Sequence, residues 1–218
     1  MTALSARRAH SRATGARAHV RLYSYVVARD FGFAPNPFYG FCTLATCKPD
    51  IRQTAQVGDW VIGTGSRSKG RQGHLVFAMR VLEATTFDEY WADPRFVWKR
   101  PSLHGSLKQG FGDNIYYHTR DGAWSQENSH HSMHDGSPNL ENVEHDTRTD
   151  RVLISDHFVY WGGEGPQVPA EFRDWDGVDI SLGRQGHRCN FPDGLVAEFV
   201  GWLEQTGVEG YVGQPTNW

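Results

Sequence analysis

The sequence has no apolar run approaching the roughly 18 residues that a membrane helix requires. Residues 1–19 hold no apolar core of the kind a secretory signal needs. Cysteine is scarce, with Cys42, Cys47 and Cys189 alone. An odd number, and a CxxxxC spacing for the first pair, fit neither a disulfide framework nor a structural zinc site. Reduced thiols, a cytoplasmic location and no cofactor are the expectation. Basic excess is also missing: 22 Lys and Arg stand against 25 Asp and Glu, a net charge of -3. Coating of nucleic acid through overall charge is thereby excluded. Familiar catalytic signatures are absent too: no nucleophile elbow, no Walker loop, no dinucleotide GxGxxG, and no deaminase HxE with PCxxC. Gly63-Thr64-Gly65-Ser66 is too short for a phosphate loop, and no internal repeat points to a solenoid or propeller.

What is present is aromatic. Only 39% of the 218 residues are hydrophobic, yet 13% are Phe, Trp or Tyr, including eight Trp, so large rings must supply much of the core or of a stacking site. Charge is unevenly placed. Arg7, Arg8, Arg12, Arg17, Arg21 and Arg29 all precede the first acidic residue, Asp30. Residues 1–19 read as a disordered basic tail, and without them 18 basic residues face 25 acidic ones, a net of -7. Residues 20–218 read as one domain.

Within it, VRLYSYVVA from Val20 is β-branched and aromatic and predicts a strand. Two Pro and two Gly among aromatic residues make 29–48 a structured loop, followed by a short helix near Asp50 to Thr54. The Val57-Gly58-Asp59 turn leads into a strand from Trp60 to Gly63. A basic tip follows from Gly65 to Gly73, and a return strand over His74 to Leu82 completes a hairpin. Thr86 can cap a short helix that Pro94 ends. Residues 101–150, rich in Gly, His, Asn and Ser and with little periodicity apart from Asn114 to His118, read as a long His-rich loop insertion, whose length marks it as functional or partly mobile. Arg151 to Trp161 predicts one strand. Asp193 to Gln205 carries helical spacing, with Asp193 available as cap and Gly207 as stop.

The string VGDWVIGTGS, followed after a polar tip by HLVFAMRVLEA, resembles the PUA-like superfamily and its EVE and YTH relatives. That likeness implies an α+β fold, specifically a PUA-like mixed β-barrel with short helices, the His-rich insertion and a C-terminal helix. The longer string YSYVVARDFGFAPNPFYGFCTLATCKPDIRQTAQVGDWVIGTGS, with GDNIYYH further on, resembles the second type of nucleotide-modification-associated domain of bacteria and phages. This resemblance spans nearly everything from Val20 onward. It implies a nucleic acid or nucleotide as partner, in a DNA-modification or phage-defence setting, and no particular reaction.

A modified-base reader needs rings for an unstacked base, polar groups for its edge and cations for phosphate. Tyr25, Phe38 and Trp60 are candidate rings, Asn36 a candidate edge contact, and Arg67, Lys69 and Arg71 candidate phosphate contacts. A strand Trp also serves as core, and a basic hairpin tip also serves as a solvated turn. The alternative is an enzyme acting on nucleotides or modified bases through a His/Asp/Arg site, with Asp113, Tyr116, Asp156, His157, Arg184 and His187 as candidates. Seven of the eleven His lie between His104 and His157. His130 and His134 would share one helical face and could ligate a metal, but Gly136 and Pro138 oppose a helix there, and polar loop histidines are the expectation. Oligomeric state is left open by these features.

Overall fold

The structure is a computed structural model that describes residues 19–218. The expected basic tail therefore lies outside the described residues, apart from His19. In chain order the elements are β1 (Leu22–Val27), β2 (Cys42–Leu44), α1 (Pro49–Thr54), β3 (Trp60–Gly65), β4 (Leu75–Arg80), β5 (Glu83–Thr85), α2 (Phe87–Ala92) and α3 (Leu107–Gly110). They continue with β6 (Tyr116–His118), β7 (Trp124–Gln126), α4 (Leu140–Thr147), β8 (Val152–Ser155), β9 (Phe158–Tyr160), β10 (His187–Arg188), α5 (Asp193–Gln205) and β11 (Gly210–Tyr211). The fold is α+β, with few helices and mixed sheets. Among the described residues no helix is long and apolar enough to cross a membrane.

Six strands form one sheet in the order β10-β1-β3-β4-β9-β11. β1 and β3 run parallel, with Leu22 opposite Trp60 and Tyr25 opposite Gly63; β3 and β4 form the expected hairpin. Every residue of β1 is buried, because both faces of this sheet are covered. On one face Leu22, Trp60, Ile62 and Leu75 meet Leu195, Val196, Phe199 and Leu203 of α5. On the other, Tyr23, Tyr25, Val61, Phe77 and Met79 meet Cys42, Leu44 and Leu153 from a second sheet of order β2-β8-β5.

The closed barrel expected from the PUA-like likeness is not formed. The large sheet is open, and its two edges, β10 and β11, are two-residue strands that do not pair with each other. The 101–150 segment is not loop throughout. It holds α3, the β6–β7 hairpin and α4, and Ile115 and Tyr116 are fully buried in a third cluster with Phe87, Tyr90 and Phe96. Three-residue strands are too short to show an alternating pattern among so many polar residues. The single strand expected over Arg151 to Trp161 is two strands in different sheets, β8 and β9. Ser155 Oγ accepts the His157 N–H at 3.0 Å and turns the chain between them.

The helices behave more simply. Thr86 caps α2 in a reciprocal box with Glu89, accepting its N–H at 3.2 Å while the Glu89 carboxylate accepts the Thr86 N–H at 3.0 Å. Thr86→Ala is expected to cost about 1 kcal/mol, read as a lower urea midpoint with unchanged slope. α5 occupies the expected residues, and Gly207 follows it at φ 61°, a conformation that suits glycine after a helix. Asp193 does not cap it: Pro192 holds the cap position, and the Asp193 carboxylate meets His19 Nε2 at 2.6 Å instead.

Candidate functional site

At the C-terminal end of β1, on the Tyr25 face of the sheet, lies a cleft of about 840 Å3. Tyr25 and the residues that follow it, through Phe31 and Phe33, supply one set of lining groups. The β3–β4 tip supplies Ser68 and Lys69, the loop before α1 supplies Cys47 and Lys48, and the 101–150 segment supplies His130, His131 and Asn142. Lys48 Nζ sits 4.9 Å from the Tyr25 ring centre, within cation–π range. Phe31 and Phe33 hold the two histidines between them, with ring centres 4.7 Å apart for Phe31 and His130 and 4.6 Å for Phe33 and His131. Three cations, Arg29, Lys48 and Lys69, thus share one concavity with several rings.

Beside that cleft Cys47, His131 and Asp146 form a relay. Cys47 Sγ is 3.7 Å from His131 Nε2, and His131 Nδ1 is 2.8 Å from Asp146 Oδ2. Asp146 is fully buried. It also accepts the Cys47 N–H at 2.7 Å and the Tyr116 hydroxyl at 2.9 Å. Burial opposes charge on both partners, but their mutual hydrogen bond and attraction win. The His131 imidazole is pushed up to about 10, with Cys47 contributing, and the Asp146 carboxyl is held below its usual range, with Arg52 contributing.

The backbone at Cys47 is itself strained. Cys47 and Lys48 have φ of 55° and 41°, a left-handed conformation that costs side-chain-bearing residues on the order of 1 kcal/mol each. The turn is fastened at both ends of one residue: Asp146 accepts the Cys47 N–H, and Arg52 Nε donates to the Cys47 carbonyl at 2.9 Å. Such overdetermined strain is characteristic of residues presented for chemistry. The donor atoms of Cys47, His131 and Asp146 lie within 4.8 Å of one another. Because Asp146 and His131 Nδ1 already face each other, only Sγ and Nε2 are left to turn outward. That falls short of the three or four protein ligands of a zinc site and suits proton transfer better.

The residues singled out from sequence are dispersed. Tyr25 and Lys69 line the cleft, as does His130, whose pKa is lowered by burial and by neighbouring His131 and Arg29. Arg67 is exposed on the same hairpin tip, and Arg71 donates to the Gly165 carbonyl at 3.0 Å. Trp60 faces α5, on the side of the sheet away from Tyr25. Phe38 is buried against Tyr211 and Trp218. Asn36 and Asp113 belong to a buried polar cluster. Asn36 Oδ1 accepts from Lys99 Nζ at 2.6 Å, and Asp113 accepts from Thr43 and Tyr90 at 2.7 and 2.8 Å. Burial lowers Lys99 to about 8 and raises Asp113, while attraction between the two groups limits both shifts.

Among the enzyme candidates, Tyr116 is joined to the relay through Asp146. Asp156 and His157 form the β8–β9 turn, with the His157 ring 5.4 Å from Trp60. Arg184 and His187 are exposed near the β10 edge and border a different concavity. His134 is exposed, and residues 130–136 form turns, so it does not share a helical face with His130. Cys47, His131 and Asp146 were not marked by any local motif. They are 84 and 15 residues apart, and a lone thiol, one of several loop histidines and a helical Asp carry no distinguishing spacing.

The fold and cleft define a mixed α+β protein with an aromatic and cationic cleft beside a thiol–imidazole–carboxylate relay. The chain belongs to the nucleotide modification associated domain 2 family, whose model matches residues 19–218. Comparison with curated proteins and with solved structures returns no match.

Proposed function

We propose that this protein binds a nucleotide, or one unstacked and modified base of a nucleic acid, in the cleft at the end of β1. The observation that carries this reading is the convergence of the half-buried Phe31, backed by the buried rings of Tyr25 and Phe33, with Arg29, Lys48 and Lys69 in one concavity. Rings bind a base through its π-face, and cations bind the phosphate. The volume lies within the range of small-ligand sites. Asn142, Gln185 and Asn217, also on the lining, are available for the base edge. The order of β1, aromatic loop and β3–β4 hairpin is the part of the PUA-like resemblance that supports the same reading, now on an open sheet.

Titration with nucleotides and with modified and unmodified oligonucleotides at two salt concentrations tests it. Saturable binding is expected. The Lys48→Ala/Lys69→Ala double variant should bind at least about tenfold more weakly with a shallower salt dependence, since each phosphate contact contributes to the salt slope. Trp60→Ala should lower stability and leave the affinity of the folded fraction unchanged. Absence of binding to every ligand would sink the proposal. A second reading, an enzyme acting on nucleotides or modified bases, is favoured by the relay beside the same cleft.

A further inference from the structure

We infer that Cys47 is a catalytic nucleophile, with His131 as its proton partner and Asp146 as the positioning residue, acting on an ester or amide carbonyl carried by a planar anionic ligand. The ligand class rests on the reading of the cleft given above; the nucleophile rests on the relay itself.

Three features of that relay fit acyl transfer. The imidazole lies between thiol and carboxylate, with Nδ1 committed to Asp146 at 2.8 Å and Nε2 turned to Sγ at 3.7 Å. This is the arrangement in which a third group orients the base that serves a nucleophile. Burial is graded: the Asp146 side chain is 0% exposed and that of His131 15%, while Cys47 lines the cleft. The carboxylate is thus shielded, while the half-buried Cys47 borders the cleft. Finally, Cys47 is held in a left-handed turn by bonds to its own N–H and carbonyl, so its position is set by the backbone and not by a mobile side chain.

The chemistry balances without an outside oxidant or reductant. With the proton on His131 Nε2, sulfur attacks the carbonyl carbon as the thiolate and forms a tetrahedral intermediate. When the C–O or C–N bond breaks, the leaving oxygen or nitrogen takes the proton from Nε2, and a thioester remains on Cys47. Water then gives a proton to Nε2 and attacks the thioester. The C–S bond breaks, a carboxylic acid leaves, and the thiolate–imidazolium pair is restored.

Cys189, also half-buried, is a control in the same molecule. Alkylation of the full chain by iodoacetamide, mapped by peptide mass spectrometry, should modify Cys47 at least about tenfold faster than Cys189 near pH 6.5. The Cys47 rate should stay nearly flat as pH falls, while that of an ordinary thiol drops about tenfold per unit below its pKa. His131→Asn should abolish the plateau, and the wild-type comparison of the two cysteines decides the matter even if that variant fails to fold. With p-nitrophenyl acetate, an acetyl adduct should appear on Cys47 and be lost in Cys47→Ser. Equal alkylation of Cys47 and Cys189 at every pH, no acetyl adduct on Cys47, or a stoichiometric metal whose removal is needed for alkylation would each overturn the inference. Nucleoside monophosphates added as protectants separate the two proposals. An adduct that forms without protection keeps the nucleophile and overturns the ligand reading; protection from alkylation without an acetyl adduct does the reverse.

Discussion

Arg52→Ala is expected to lower the unfolding free energy by about 4 kcal/mol. Arg52 is fully buried. Its guanidinium donates from Nε to the Cys47 carbonyl at 2.9 Å, from Nη1 to the Arg151 and Thr149 carbonyls at 2.6 and 3.2 Å, and from Nη2 to the Asp146 carbonyl. It also lies over the Phe87 ring, 5.3 Å from its centre. Truncation leaves these carbonyls without a donor, and an unsatisfied buried polar group costs about 1–3 kcal/mol. A cavity beside Phe87 adds to the loss. Burial lowers the Arg52 pKa to about 10, with Asp146 opposing that shift, so the group remains charged at neutral pH. Arg52→Lys retains a charge but not the planar fork, and should recover less than half of the loss. Urea unfolding gives the magnitude. A cost below about 1 kcal/mol would show that water replaces the guanidinium, and that Arg52 does not anchor the Cys47 turn to α4.

The second large effect is an alkaline loss of stability centred on His131. Its pKa rises from 6.5 to about 10 on folding. The folded state therefore holds a proton that the unfolded chain releases between those values, and stability falls as pH rises. The contribution is complete below about pH 6.5 and lost as pH passes through about 10. A pKa difference of this size corresponds to several kcal/mol. Asp146 works in the opposite direction: its folded pKa lies below 3.8, so its contribution is present above that value and fades as acid is added. Unfolding free energies of wild type and His131→Asn, measured between pH 6 and pH 10, isolate the His131 part because Tyr and Lys titrations are shared. Parallel curves would show that His131 carries no raised pKa and would remove the charge pairing with Asp146.

Much of the architecture was legible locally. The β-branched and aromatic run at 20–28, the Val57-Gly58-Asp59 turn and the hairpin after it have short-range causes. Asp59 secures its turn by accepting the Gln56 N–H at 2.8 Å, and the Arg21 N–H at 2.8 Å from the start of β1. α1, α2 and α5 were readable from Pro, capping Thr and apolar spacing. The 101–150 segment was not, because its strands are three residues long and its order comes from packing Tyr116 and Trp124 against Phe87. The barrel expectation failed on a nonlocal property: strand order and closure depend on which edges meet.

The same distinction runs through the site. Sequence by itself determined the family, the wealth of rings, the local basic tip and the excess of acid over base beyond residue 19. It also placed Tyr25 on a buried strand and Lys69 on a hairpin tip. Only the tertiary structure decided which of these groups share a surface. Parallel pairing sets Leu22 opposite Trp60, and side chains alternate between faces along a strand, so Trp60 must join α5 while Tyr25 faces the cleft. Cys47, His131 and Asp146 met for the same physical reason. Their hydrogen bonds span long stretches of chain, and such contacts are fixed by the path of the backbone, not by the composition or spacing of the residues that make them.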